Sequence, residues 1–92
     1  MQILPNRYYW VIMRHGDWEK RGRCIHLRLK EMAPEEKTGY EGTREQNELP
    51  THQVVFYDFE VYRVLEGKIK KETEDALVLE LGKGKEYEFR PF

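Results

Sequence analysis

Apolar residues along this chain recur at every second position over most of its length, and no stretch carries the i, i+3, i+4 stripe of an amphipathic helix. Residues 8–14 (YYWVIMR) are built from strand formers. Residues 24–32 alternate, with Ile25, Leu27 and Leu29 on one parity and Cys24, His26, Arg28 and Lys30 on the other. The polar stretch 15–23 between them holds Gly16 and Gly22 and reads as the loop of a long first hairpin. The longest strand signal is 53–65. There Val55, Tyr57, Phe59 and Val61 share one parity and Asp58 and Glu60 the other, while Val54, Phe56, Tyr62 and Val64 make both ends apolar on both faces. Such a strand is expected to run through a barrel corner, covered first by one sheet and then by another. Residues 76–81 follow with Leu77, Leu79 and Leu81 inward, 82–85 (GKGK) form a hairpin turn, and 86–90 return with Tyr87 and Phe89 inward. The charged stretch 68–75 fits either a short strand or one turn of helix.

Residues 33–52 break the pattern. Pro34 and Pro50 bracket a segment with Gly39 and Gly42 and almost no apolar side chain beyond Ala33, Tyr40 and Leu49. A connection this long is usually a functional loop or disordered. Five or six strands without a helix predict an all-β fold: a small antiparallel barrel of the SH3-like or OB-like kind, carrying a long polar loop at 33–52. A length of 92 residues predicts a single domain with a small core. Aromatic residues at 13% make that core feasible, since each large ring buries roughly 150–250 Å².

Charge adds a second layer to this reading. The first thirty residues carry Arg7, Arg14, Lys20, Arg21, Arg23, Arg28 and Lys30 against Asp17 and Glu19, a balance of +5 in a chain whose net charge is −1. A basic, aromatic-rich front half joined to an acidic remainder predicts two electrostatic faces, of which the positive one suits an anion. If Ile25, Leu27 and Leu29 face the core, Cys24, His26, Arg28 and Lys30 point outward. On the partner strand Tyr9, Val11 and Met13 suit the core, leaving Tyr8, Trp10, Ile12 and Arg14 outside. The resulting face interleaves aromatic rings with cations, and the hairpin loop adds Trp18, Lys20, Arg21 and Arg23 at one end. Aromatic platforms stack bases at about 1–3 kcal/mol each, and neighbouring cations neutralise phosphates.

The leading expectation is therefore a non-catalytic module that binds single-stranded nucleic acid, RNA or DNA, through its N-terminal hairpin. Its binding residues would be Tyr8, Trp10, Arg14, Trp18, Arg21, Arg23, His26, Arg28 and Lys30. The same residues also allow a structural role, with Trp10 packed beneath the 33–52 loop or against the C-terminal strands and Arg28 stacked on it.

Two other function classes remain open at this level. A protein–protein module or small inhibitor would dock through the acidic loop, where Glu31, Glu35, Glu36, Glu41, Glu45 and Glu48 cluster. A small metal-independent ribonuclease would use His15, His26 or His52 as acid or base, with Arg14, Arg21 or Arg28 stabilising charge, although no spacing singles these residues out. Cys24 and His26 lie two apart, yet a zinc site wants three or four protein ligands, so neither metal nor cofactor is expected. Asp58 and Glu60 read as a solvated strand face. The single cysteine fits a reducing compartment, and neither a signal-like N-terminus nor a membrane-length apolar run is present, which predicts a soluble, cytoplasmic protein. Residues 53–57 (QVVFY) are apolar on both parities and uncharged. As a strand edge they would need cover from a second copy or from Pro91 and Phe92, which leaves monomer and homodimer both open.

Overall fold

The computed structural model describes residues 1–33 and 49–92. Six antiparallel strands, β1 (Tyr9–His15), β2 (Trp18–Glu31), β3 (His52–Tyr57), β4 (Tyr62–Glu72), β5 (Leu77–Gly82) and β6 (Lys85–Pro91), follow one another in chain order around a closed barrel, so that β6 returns to pair with β1. The all-β barrel expected from strand count and alternation is the fold observed. The described residues contain no helix, and hence none able to cross a membrane.

Two long strands turn the barrel's corners. β2 pairs with β1 as far as Cys24 and with β3 from Ile25 onward. β4 pairs with β3 as far as Gly67 and with β5 from Lys68 onward. The β2 corner is a bulge: the register slips between Ile25 and Arg28, and His26 adopts a left-handed φ of 59°. This extra residue overturns the expected outward position of Cys24. Strict alternation cannot bury both Cys24 and Leu27, but the bulge does, leaving Ile25 half-buried. Cys24 is fully buried opposite Tyr9, and burial pushes its thiol pKa up to about 12, with the Asp58 carboxylate adding to the shift.

The single strand expected over 53–65 is instead a hairpin. Asp58 supplies its own turn. Its amide donates to the Val61 carbonyl at 3.1 Å, its Oδ1 accepts from the Glu60 and Val61 amides at 3.0 Å each, and Phe59 takes a φ of 72°. Local side-chain bonding of this kind outcompetes a strand, so Asp58 and Glu60 sit in a turn and not on a strand face. The first hairpin's loop is also shorter than expected. His15 pairs with Trp18, and Gly16 and Asp17 alone make the turn, with Gly16 at φ 61° as a type II′ turn requires. The ambiguous 68–75 stretch continues β4 as far as Glu72.

Tyr9, Val11, Cys24, Leu27, Val54, Phe56, Leu77, Leu79 and Phe89 form the core. Met1 and Ile3 pack against it, and the Leu4 amide donates to the buried Tyr9 hydroxyl at 2.8 Å, which fixes the N-terminal segment across one end of the barrel. The expected open edge at 53–57 does not exist, because β3 is paired on both sides and Val54 is fully buried. The acidic residues Glu35, Glu36, Glu41, Glu45 and Glu48, read above as a docking segment, lie outside the described residues.

Candidate functional site

Pairing of β1 with both β2 and β6 sets Trp10 between Arg23 and Arg90 on the barrel's outer surface. Closure of the barrel then brings the end of the chain alongside. The Phe92 amide donates to the Tyr8 carbonyl at 3.2 Å, and the Phe92 ring stacks on Trp10 at 4.7 Å between centroids with 30° between planes. Tyr8 lies 6.2 Å from Phe92 and stacks on Phe59 at 5.9 Å and 23°. The series continues through Tyr57, 6.0 Å from Phe59, to Tyr62, 5.1 Å further on. Although the rings stack on one another, Tyr8, Trp10, Phe59, Tyr62 and Phe92 are 40–61% exposed, so one side of the ladder faces solvent. Large apolar side chains left contiguous and exposed mark a binding surface. Tyr8, Trp10, Phe59 and Phe92 line an open groove of about 860 Å³ together with Arg21, Gly22, Arg23 and Asp58.

The groove's charge is positive on balance. Among the described residues Arg23 makes no ion pair, and Arg21 pairs with Glu19 alone, at 3.4 Å. Asp58 is compensated within its own turn. The Val61 amide and the Arg63 guanidinium, which bonds Oδ2 at 2.7 Å, hold its pKa down to about 2. A carboxyl depressed in this way stabilises the fold fully above its unfolded pKa of about 3.9, and that stability is lost as pH falls towards the folded value. Thermal melts between about pH 6 and about pH 2 are therefore expected to show a shallower acid limb for Asp58→Asn than for the parent.

The remaining residues expected at the site divide into three places. His26, Arg28 and Lys30 line a second groove of about 790 Å³, with Asn6, Gln53 and Val55 among its other walls. Trp18 sits at the tip of the first hairpin, 54% exposed and outside both grooves. Arg14 is committed to structure. It bonds Glu88 at 2.7 Å and Glu19 at 2.9 Å, while Arg90 bonds the same Glu88. Glu88 is 5% exposed; burial opposes its ionisation, but the hydrogen bonds from Arg14 and Arg90 outweigh this and lower its pKa. Removing one partner of a buried carboxylate costs about 3–5 kcal/mol, reduced here because Arg14 is partly exposed and Arg90 remains. Arg14→Ala is accordingly expected to destabilise the barrel by about 1–2 kcal/mol in urea unfolding.

Phe59 and Phe92 are site residues that alternation did not single out. Phe59 was hidden by reading 53–65 as one strand, although the Asp at the head of the turn was a usable signal. Phe92 joins the site only through β1–β6 closure. The three histidines are dispersed: His15 ends β1 at the hairpin tip, His26 lies in the second groove, and His52 opens β3 with its Nδ1 at 2.9 Å from Thr51 Oγ1. Among the described residues no three of His, Cys, Asp and Glu gather into a metal-binding group.

Comparison with protein-family models, with curated proteins and with solved structures finds no match to this chain.

Proposed function

We propose that this barrel is a non-catalytic module that binds single-stranded nucleic acid on its aromatic groove. The observation that carries this reading is the half-exposed ladder of Trp10, Phe92, Tyr8 and Phe59 beside Arg21 and Arg23. Aromatic faces hold bases with little sequence preference, and the adjacent guanidinium groups hold phosphates with fork geometry. Bases paired inside a duplex are not free to lie on side-chain rings. A net charge of −1 for the whole chain argues against tight nonspecific duplex binding, which needs many phosphate contacts.

Fluorescence anisotropy of a labelled single-stranded oligomer tests the proposal. Trp10→Ala and Phe59→Ala are each expected to weaken binding by about 5- to 150-fold, the equivalent of about 1–3 kcal/mol of base stacking. Unchanged affinity in both variants, with the fold intact by circular dichroism, would remove the aromatic groove as the binding surface.

A further inference from the structure

We infer that the binding track continues from the aromatic groove, over the His26 bulge, into the second groove, so that its ligand is a single strand longer than the ladder alone would hold. This rests on the reading of the first groove given above. The two grooves have no lining residue in common, but both draw on β2 and on the N-terminal segment. β2 supplies Arg21 and Arg23 to the first and His26 and Arg28 to the second, while the N-terminal segment supplies Tyr8 to the first and Asn6 to the second. Exposed Arg7 stands at the divide between Asn6 and Tyr8.

The bulge is what makes the track continuous. Arg23 and Arg28 are five positions apart, so a regular strand would turn them to opposite faces. The extra residue at His26 restores them to one side: Arg23 registers with Trp10, Arg28 registers with Val55, and both are exposed while Cys24 and Leu27 are buried. The other wall is equally defined. Asn6 takes a left-handed φ of 59° just after the segment is anchored through Leu4 to the Tyr9 hydroxyl, and Arg7 follows on the outside.

Electrostatics agrees with this path. Arg7, Arg23 and Arg28 make no ion pair with any described residue. By contrast, both arginines beside Glu88 and one lysine at β6 are paired, Arg14 and Arg90 with Glu88 and Lys70 with Glu86. Several guanidinium groups without an ion-pair partner among the described residues suit successive phosphates of an extended strand better than isolated anions.

Length-dependent binding separates this inference from the first-groove reading. Labelled oligothymidylates of about 4 and about 12 nucleotides, within the range single-strand barrels occupy, are titrated into the wild type and into an Arg7→Ala/Arg28→Ala double variant. Both substitutions are on exposed positions, and a thermal melt confirms that the fold is retained. The variant is expected to lose about tenfold in affinity for the longer oligomer and less than about twofold for the shorter. Its salt dependence on the longer one should fall by about 1.4, the equivalent of two phosphate contacts on a single strand. No loss on the longer oligomer, or an equal loss on both, overturns the extension and leaves the aromatic groove as the whole site. Failure of the wild type to bind either length overturns both readings together.

Discussion

Replacing Gly67 by alanine is expected to lower the melting temperature of the barrel by about 10–25 °C. A Cβ at this position would lie 2.3 Å from the Glu80 carbonyl oxygen and 3.1 Å from its carbon, with Leu81 Cδ2 at 3.0 Å. The first two atoms are backbone, fixed by the pairing of Lys68 with Glu80, so no rotamer change relieves the clash. Gly67 is also the residue at which β4 leaves β3 for β5, and its carbonyl accepts the Thr51 amide at 2.9 Å. Relief therefore requires opening a barrel corner. Overpacking typically costs about 1–3 kcal/mol and more where backbone must move. Each kcal/mol lowers the melting temperature of a domain this size by about 4–8 °C. Thermal circular dichroism reads the effect. A melting point within a few degrees of the parent would mean that β4 does not approach β5 at this bend.

The second large effect distinguishes the two faces of the β3–β4 hairpin. Val54→Lys is expected to abolish cooperative folding, whereas Val64→Lys is expected to change stability by no more than about 0.5 kcal/mol. Val54 is fully buried between Leu29 and Leu65 in register, and a lysine there would place an unpaired ammonium in the core at a cost of several kcal/mol. Val64, 57% exposed, registers with Val55 on the outer side. Denaturant unfolding of the two variants provides the measurement. A folded Val54→Lys protein with changed oligomeric state would restore the open-edge reading of 53–57 that barrel closure displaces.

Alternation places most of the core but not the outer face of β1, β5 and β6. Ile12, expected outside, is 4% exposed, and it lies in register beside Glu88 and Val78, which are 5% and 7% exposed on the same outward parity. Tyr9 and Val11 on β1, Leu77 and Leu79 on β5, and Phe89 on β6 face the core as their parity requires, and Trp10 faces outward. Alternation also fails at the two places where a local hydrogen-bonding or backbone feature changes the period. His26 adds one residue to β2, which no propensity marks, and that single residue reverses the sides assigned to Cys24 and Ile25. Asp58 converts a continuous β-branched and aromatic run into a turn, and with it moves Phe59 from a strand interior to the groove. Strand order was beyond reach, because parity fixes faces and not neighbours. The stacking of Phe92 on Trp10 therefore emerges only from β1–β6 closure. The basic and aromatic residues of the first hairpin were visible as a set, but their division was not. Arg14 is absorbed by Glu88, which lies 74 positions away in sequence. Trp18 is left at the hairpin tip, and the bulge carries His26 and Arg28 into a second groove.

Base stacking on the aromatic ladder is measured most directly through Trp10 itself. In a Trp18→Phe protein Trp10 is the sole tryptophan, so its emission reports on the groove alone. Titration with a single-stranded oligomer at micromolar protein, at about 50 mM and about 200 mM salt, is expected to quench that emission, with weaker binding at the higher salt. A duplex of the same sequence is expected to leave the spectrum unchanged. Emission that does not respond to the single strand at either salt concentration, or responds equally to the duplex, would contradict single-strand binding at this groove.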